Sequence, residues 1–446
     1  MRVLIFHGYM LRGTGSNIYN ANLGPALARL GHEVHLLCQD REVELPGVRI
    51  HNPDIGGLLP VYVKDPYPGF EVKAFQELGE AELERYIEAN VAAVRAVAAE
   101  AGGIDAALAN HLVMGPAILA RAGVAPFAAK IHGSALEYTV KPHPRYRPYA
   151  EEGMAAASGV LVGSHHTAES LWKALPGVPG LEAKTRLGPP GVDTEGFAPG
   201  GVRDPLVAFV GKLIVSKGID LLLAAWPMVH AKHLEGRLQI AGFGEYEDAV
   251  RRLLAALDRG DLDDAREVAR LGRALEGGEE KPLKILSAFL ADPPTGYAEA
   301  ARAAAGSVEL LGRLEHDEVA ALLPQAQALV MPSTFPEAFG MVAAEAAACG
   351  TLPISAGHSG MLEVSRQLSG SLPESVASLV SFAVETGAVE ALADRLDAWL
   401  SLPDAERERA RRALVGTVAR LWSWEAVARG VLSAAAGELG DLSLPE

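Results

Sequence analysis

Short apolar runs alternate with helical spacing through the first part of the chain. Runs of four or five residues, typical of buried strands, occur at residues 3–6, 34–37, 105–109, 128–132 and 160–163. Segments with helical spacing lie between them, at residues 18–30, 81–100, 115–121, 149–157 and 167–175. This alternation is typical of a parallel sheet covered by helices. Residues 43–78 have no clear period, and we interpret them as loops with one short strand near 47–52.

The pattern restarts after a connector rich in Pro and Gly at residues 189–205. Apolar runs return at 206–210, 237–241, 307–311, 328–331 and 352–355. The stretch 245–304 is charged, rich in Ala and Leu, and long for a connection, so it predicts a helical insertion. The sequence therefore predicts an α/β fold of two facing Rossmann-like domains, whose ligands bind at strand carboxyl ends across a cleft.

The predicted boundaries give an N-terminal domain at residues 1–196 and a C-terminal domain at residues 197–420. Residues 421–446 are expected to form a terminal helix. A chain of 446 residues with 49% hydrophobic content is long enough for such an arrangement.

Charge and cysteine content narrow the classes of function. A formal net charge of −16 argues against a nucleic-acid partner and against a broad basic membrane surface. Only Cys38 and Cys349 are present, too few for a disulfide framework, so we expect a cytoplasmic setting. No run of 18 apolar residues occurs, and any membrane contact is expected to be peripheral.

Two glutamates, Glu337 and Glu345, mark the stretch around which the chain is organised. A helix is predicted from about residue 339 to Gly350, so Glu337 precedes it and Glu345 lies within it. The unpaired N–H groups of a helix N-terminus favour anions. A carboxylate on each side suits a ligand with hydroxyls at both ends and phosphates between, such as a nucleotide-sugar.

Glycine-rich loops follow the first strand of each predicted domain. The first contains Gly13 and Gly15 but lacks the third glycine of the dinucleotide fingerprint, which makes a dehydrogenase a weak alternative. This loop can approach a phosphate or form a plain tight turn. The second contains Lys212 and Lys217, which are either phosphate ligands or solvated surface lysines.

Together these motifs resemble the retaining glycosyltransferases of family 4, which have two facing Rossmann-like domains (the GT-B fold). Glu337-Ala-Phe-Gly-Met-Val-Ala-Ala-Glu345 is similar to the two-glutamate donor motif of that family. Gly211-Lys-Leu-Ile-Val-Ser-Lys-Gly-Ile-Asp220 is similar to its diphosphate loop, and Ile131-His-Gly133 to a strand end of its first domain. Trp424-Glu425 resembles the start of the last helix, which in the family crosses back to the first domain.

The sequence departs from the family pattern at two points. Lys212 stands where the family usually has Arg, so the bidentate contact with phosphate would be lost. Ser359 precedes Gly360 where the family often has two glycines.

The resemblance implies transfer of a hexose from a nucleotide-diphosphate sugar to a hydroxyl acceptor, which is a sugar, a lipid-linked group or a small molecule. A UDP-sugar is favoured and a GDP-sugar is the other candidate. It implies that the catalytic residues are His132, which contacts the sugar, and Glu337, which holds sugar hydroxyls. It also implies that Glu345 holds the ribose diol. The implied donor-binding residues are Gly13, Gly15, Lys212, Lys217, Ala338, Phe339, Gly340, Met341, Val342 and Glu345. No cofactor is expected, and a metal is not expected to be essential.

Several residues keep alternative interpretations. His132 is otherwise a core or surface histidine, and His111 could face the same cleft. Arg145 and Tyr146 belong to a run that is either an extended surface loop or an acceptor-side loop. Asp261-Leu-Asp263 is interpreted as a helix cap rather than a metal site. A glycoside phosphorylase, a glucan synthase and a non-catalytic nucleotide-sugar-binding protein remain the alternative functions.

Overall fold

The computed structural model describes residues 1–12, 15–62, 67–200, 205–337 and 339–445. The chain forms two compact units. Unit 1 comprises Met1–Gly191 together with Trp422–Glu446, and unit 2 comprises Val192–Leu421. The division between the units lies a few residues before the boundary that the sequence predicts at 196/197.

Unit 1 is built on a parallel sheet that has seven strands among the described residues. Its order is β3-β2-β1-β6-β7-β8-β9. The strands are β1 (Arg2–Phe6), β2 (Glu33–Leu37), β3 (Val48–His51), β6 (Ala106–Asn110), β7 (Phe127–Ile131), β8 (Gly159–Val162) and β9 (Thr185–Leu187). The order reverses between β1 and β6, which makes the carboxyl ends of these strands the expected ligand site of a doubly wound sheet.

Helices cover both faces of this sheet. They are α1 (Gly15–Arg29), α2 (Glu80–Glu100), α3 (Gly115–Ala122), α4 (Arg147–Ala156), α5 (His165–Ala174) and the C-terminal α17 (Trp424–Ala436). Side chains alternate along β1, so that Leu4 and Phe6 enter one hydrophobic core while Val3 and Ile5 enter the other. The second core includes Trp424 of α17, which explains why the C-terminal segment groups with unit 1.

Two local predictions in unit 1 were wrong. The stretch 43–78 contains β3 and also a separate parallel pair, β4 (Leu58–Val61) and β5 (Glu71–Ala74), which its irregular pattern did not indicate. Residues around Tyr146 are helical rather than extended, because Pro144 and Pro148 occupy first-turn positions where a missing N–H costs nothing.

Unit 2 has a parallel sheet with six strands among the residues that the structure describes. Its order is β12-β11-β10-β13-β14-β15. The strands are β10 (Leu206–Val210), β11 (Arg237–Ala241), β12 (Val308–Gly312), β13 (Ala328–Met331), β14 (Leu352–Ala356) and β15 (Ser381–Phe382). Here the order reverses between β10 and β13, so the loops that follow these two strands meet at the expected ligand site.

The helices of unit 2 include the predicted insertion. They are α6 (Ile219–His230), α7 (Glu247–Arg259), α8 (Leu262–Leu271), α9 (Lys284–Ala291), α10 (Tyr297–Ala303), α11 (His316–Leu322), α12 (Met341–Ala348), α13 (Ser359–Ser369), α14 (Glu374–Ala377), α15 (Ala388–Leu400) and α16 (Asp404–Leu421). Asp261 caps α8 by accepting the Asp264 N–H at 3.1 Å, so the predicted cap is confirmed. Within the described parts of the chain, no helix combines the length and apolar character needed to cross a bilayer.

Candidate functional site

The loops that follow β10 and β13 in unit 2 cross and contact each other. The loop after β10 ends in a 3-10 turn, Val215–Lys217, followed by Gly218. Gly218 has φ 66°, and a Cβ there would lie 2.0 Å from the Pro332 carbonyl oxygen. The Thr334 N–H donates to the Ser216 carbonyl at 2.9 Å. Only glycine fits this crossing, which keeps Lys217 beside the loop that carries Glu337.

Lys217 and Glu337 form an ion pair at this crossing. The Lys217 ammonium donates to Glu337 Oε1, and the Ser333 hydroxyl donates to the same oxygen at 2.8 Å. The side chains keep 27% and 20% of their surface exposed, so both remain accessible to a ligand. The pair places an ammonium, which can bind an anion, beside a carboxylate, which can accept from hydroxyl groups.

The backbone of Glu337 is fixed by the start of α13. Its N–H donates to Ser359 Oγ at 2.9 Å, and its carbonyl accepts the Gly360 N–H at 2.9 Å. Ser359 adopts φ 53°, which is unusual for a residue with a side chain. The position where the sequence departs from the family's paired glycines thus supplies a hydroxyl that orients Glu337.

His358 completes this arrangement. Its Nε2 lies 2.8 Å from the Ser333 carbonyl, so Nε2 carries the proton and Nδ1 accepts from Ser359 Oγ at 3.2 Å. Sequence reasoning missed His358. The sequence feature that could have indicated His358 is its position two residues after β14. His132 was predicted from the same kind of position, at the end of a strand.

Glu345 lies in the second turn of α12, and it is buried with 6% of its surface exposed. Burial raises the pKa of its carboxyl to about 7, because the charged form loses its hydration. Gly340 immediately precedes α12, and Met341 and Val342 form its first turn, whose N–H groups have no partner within the helix. The helix begins two residues later than predicted and leaves Phe339 in the preceding loop.

The remaining predicted donor-binding residues are either exposed or outside the described residues. The side chain of Lys212 is exposed and has no ion-pair or hydrogen-bond partner among the described residues. Gly15 is the first residue of α1 and lies open to solvent. Gly13 and Ala338 lie outside the described residues, so their predicted roles have no structural counterpart here.

Unit 1 places three histidines at the ends of three adjacent strands. His7 follows β1, His111 follows β6 and His132 follows β7. The ring centroids of His111 and His132 are 4.9 Å apart, and those of His7 and His111 are 5.8 Å apart. The sequence predicted two members of this cluster, and His7 was missed although it follows a buried strand in the same way.

Two asparagines orient two members of the histidine cluster, His132 and His7. His132 Nε2 donates to Asn110 Oδ1 at 2.8 Å. Asn110 donates in turn to Asn20 Oδ1 at 2.9 Å, and Asn20 donates to His7 Nδ1 at 3.1 Å. His7 and His132 therefore each have a defined tautomer, and these networks rigidify the ends of β1 and β7.

The cluster is uncharged at neutral pH. Burial lowers the pKa of His7 to about 4 and lowers the pKa values of His111 and His132 well below 6.5, because a buried imidazolium is poorly solvated. Both ring nitrogens of His111 are buried without a hydrogen-bond partner in the described structure. Neutral imidazoles suit hydroxyl groups better than phosphates.

Arg145 and Tyr146 are both engaged within unit 1. The Arg145 guanidinium donates to the carbonyls of Phe75 and Leu78 at 2.9 Å. Tyr146 is fully buried, and its hydroxyl donates to the Phe75 carbonyl. These contacts tie the segment to the loop after β5, while the acceptor-side role of both residues stays a prediction.

Lys130 is a buried cation that sequence reasoning missed. Its ammonium donates to the Gly188 carbonyl and lies 5.6 Å from the ring centroid of Tyr19. Burial lowers the pKa of Lys130 to about 7. The chain also holds no group of three or more His, Cys, Asp or Glu side chains arranged to bind a metal ion, within the part that the structure describes.

Two family models match the sequence. The model described as Glycosyltransferase Family 4 matches residues 13–196, and the model described as Glycosyl transferases group 1 matches residues 298–414. The helices α7, α8 and α9 of the insertion fall outside both matches.

Curated relatives share 27–33% identity with the matched parts of the chain. A D-inositol 3-phosphate glycosyltransferase of Frankia alni is 30% identical over 460 residues, covering 94% of this chain and 93% of that protein. A GDP-mannose-dependent monoacylated alpha-(1-6)-phosphatidylinositol monomannoside mannosyltransferase of Corynebacterium glutamicum is 27% identical over 262 residues. That match covers 53% of this chain and only 52% of the relative.

Solved structures share the fold at lower identity. Sucrose-phosphate synthase from Thermosynechococcus elongatus superposes with a TM-score of 0.58 at 21% identity, covering 96% of each chain. HepE of Anabaena in complex with UDP superposes with a TM-score of 0.60 at 14% identity, covering 98% of this chain and 100% of that one.

Proposed function

We propose, given that the chain belongs to the family 4 glycosyltransferases and is a transferase with a nucleotide-sugar donor, that it transfers a hexose with retention of configuration. The proposed donor is a UDP-hexose, with a GDP-hexose as the second candidate because one relative is named for GDP-mannose. The proposed acceptor is the hydroxyl of a cyclitol phosphate, since the relative that covers 94% of this chain is named for inositol 3-phosphate.

The Lys217–Glu337 ion pair is the observation that carries this proposal. When a nucleoside diphosphate binds, its oxygens compete with Glu337 for the Lys217 ammonium. Glu337 is then free to accept hydrogen bonds from the sugar hydroxyls. The same contact stabilises the negative charge that grows on the leaving diphosphate as the glycosidic bond breaks.

The remaining residues fit distinct parts of the donor and the transferred sugar. The first-turn N–H groups of Met341 and Val342 would donate to phosphate oxygens. Glu345 in the second turn of the same helix would accept from the ribose diol. His132 in unit 1 would contact a sugar hydroxyl through a neutral imidazole.

Retention is proposed to follow from attack on the face of the sugar that the diphosphate leaves. The bond between the anomeric carbon and the diphosphate oxygen breaks, and a bond from the acceptor oxygen to that carbon forms. The acceptor proton passes to the departing phosphate oxygen. No protein nucleophile is required for this step.

The test is a donor and acceptor panel with matched lysine variants. Wild-type protein is incubated with UDP-glucose, GDP-mannose or ADP-glucose, with and without a myo-inositol phosphate, and the product anomer is assigned by NMR. We expect Lys217→Ala to lower kcat/KM about 100-fold, in the range for loss of one charge-stabilising group. Lys284→Ala, which removes an exposed lysine of the same unit, should leave kcat/KM unchanged.

Two results would contradict the proposal. One is an inverted anomer in the product. The other is a wild-type protein that neither binds nor turns over any of the three donors.

A further inference from the structure

The insertion contains a tightly closed loop between α8 and α9. This closed loop comprises residues 272–283, and its first turn is the 3-10 segment Arg273–Glu276. The Arg273 N–H donates to the Lys281 carbonyl at 3.2 Å, and the Leu283 N–H donates to the Ala269 carbonyl at 2.8 Å. These bonds close the loop at its base.

Gly272 makes this closure possible. It has φ 50°, and a Cβ there would lie 2.0 Å from the Lys281 carbonyl oxygen. Glycine therefore permits the close approach of the two ends of the closed loop, which carries Glu276.

Glu276 reaches from the closed loop to the lysine-bearing loop after β10. The Val215 N–H donates to Glu276 Oε2 at 2.8 Å, although the two residues are 61 positions apart in sequence. Val215 is the first residue of the 3-10 turn that contains Lys217, and its carbonyl accepts the Gly218 N–H at 3.1 Å. The carboxylate thus caps the turn that presents Lys217.

A charged acceptor is well suited to this task. The first N–H groups of a helical turn have no partner within the turn, and a carboxylate binds them more strongly than a neutral oxygen. Glu276 is partly buried, so the contact is less screened than one at an open surface. No side chain of the 3-10 turn caps it, since the preceding residue is Ile214.

We infer that Glu276 is a positioning residue, through which the insertion holds the turn of Lys217 in the geometry that binds the donor diphosphate. This inference rests on the proposed role of Lys217. It assigns a function to a segment that lies outside both matched family regions.

Three variants test the inference. Glu276→Ala removes the acceptor, Glu276→Gln keeps an oxygen that can accept from the Val215 N–H, and Glu279→Ala removes a nearby exposed carboxylate from the same loop. Amide hydrogen exchange of residues 213–218 and the Kd of UDP and GDP are measured for each. Loss of one charge-assisted hydrogen bond corresponds to about a tenfold change in an equilibrium constant.

We expect Glu276→Ala to accelerate exchange in residues 213–218 and to raise the nucleotide Kd, each by about tenfold. Glu276→Gln should change both by about threefold, because a neutral acceptor keeps roughly half of the bond's free energy, and Glu279→Ala should match wild type. The donor KM should rise in Glu276→Ala with a smaller change in kcat.

The inference is overturned if Glu276→Ala leaves exchange unchanged, or if exchange accelerates while the Kd stays the same or falls. A wild-type protein that binds neither nucleotide would contradict the proposed function instead. The exchange contrast among the three variants would still show whether Glu276 holds the turn.

Discussion

The polar side chains proposed to bind the donor in unit 2 differ in how accessible they are to a ligand. Lys217 and Glu337 neutralise each other at partly exposed positions, so a diphosphate can separate them at modest cost. Glu345 is buried and carries a pKa of about 7, so its charged form is unfavourable before a ligand arrives. Because burial of this carboxyl destabilises its charged form, Glu345 is a candidate for function rather than for stability.

Replacing Glu345 by Gln should stabilise the protein in a manner that depends on pH. The folded-state pKa of about 7 lies above the ordinary value of 4.5, so the folded state holds a proton that the unfolded state has released between these pH values. The stability contributed by this carboxyl is therefore present below about pH 4.5, falls as pH rises to about 7, and is absent at pH 8.

Urea unfolding of wild type and Glu345→Gln at pH 5 and pH 8 measures this effect. The variant should gain stability relative to wild type on going from pH 5 to pH 8, by roughly 2–3 kcal/mol. The same variant should bind UDP or GDP at least about tenfold more weakly at pH 8, because an amide is uncharged and offers one acceptor oxygen to the ribose diol, whereas a carboxylate offers two. A stability difference that is the same at both pH values would contradict the assignment of the raised pKa.

At the scale of elements, the crossing of the loops after β10 and β13 controls the site of unit 2. Neither loop is regular, and the crossing depends on Gly218 lying against Pro332. The hydrogen bond from the Thr334 N–H to the Ser216 carbonyl adds a second link. Displacement of either loop would separate Lys217 from Glu337.

Gly218→Ala is expected to disrupt this crossing. The new Cβ would lie 2.0 Å from the Pro332 oxygen and would also require a left-handed backbone for alanine. We expect a loss of about 3 kcal/mol or more in unfolding free energy, together with loss of nucleotide binding. Urea unfolding and calorimetric titration with UDP and GDP would measure both.

Gly306→Ala is the matched control for Gly218→Ala. Gly306 has φ 80° and no atom within 4 Å of its added Cβ, so the substitution introduces backbone strain without a clash. It should cost about 1–2 kcal/mol and leave nucleotide affinity unchanged. Equal losses in the two variants would show that the approach to Pro332 has no importance of its own.

The sequence predicted elements well where burial produces a continuous apolar run. Strands β10 and β13 match the predicted residues 206–210 and 328–331. The pair β4 and β5 was missed because it lies outside the main sheet, in a segment whose Pro and Gly content masks any period. Periodicity reports burial against a core, so it is weak wherever an element packs irregularly.

The same limit applies to the candidate site. Strand-end position and resemblance marked His132, Lys217, Glu337 and Glu345, which the structure places at strand carboxyl ends or in the following helix. The contact with Val215 is made by Glu276, which belongs to an insertion outside the matched family regions. Neither local pattern nor resemblance could therefore indicate this contact. Contacts between distant segments require the three-dimensional fold.

At the scale of the whole molecule, each unit has its own sheet, its own helical layers and the strand order of a doubly wound fold. The proposed function assigns the nucleotide to residues of unit 2, namely Lys217, Met341, Val342 and Glu345, whereas Gly15 and the histidine cluster belong to unit 1. A net charge of −16 opposes the approach of an anionic donor, so local cations such as Lys217 must provide the attraction. The units should therefore respond differently to a nucleotide.

Scanning calorimetry with and without nucleotide should reveal this difference. A ligand stabilises the folded state that binds it, by about 2.7 kcal/mol at a concentration of 100 times Kd. For a unit of this size each kcal/mol corresponds to about 2–4 °C, so saturating UDP or GDP should raise the transition of unit 2 by roughly 5–10 °C. The transition of unit 1 should move far less.

Two strained-glycine variants identify which transition belongs to which unit. Gly123→Ala in unit 1 and Gly306→Ala in unit 2 each place alanine at a left-handed position with no atom within 4 Å, so each should lower only its own transition. Nucleotide should then raise the transition that Gly306→Ala lowers. A nucleotide shift in the transition marked by Gly123→Ala, with no shift in the other, would contradict the placement of the donor site in unit 2.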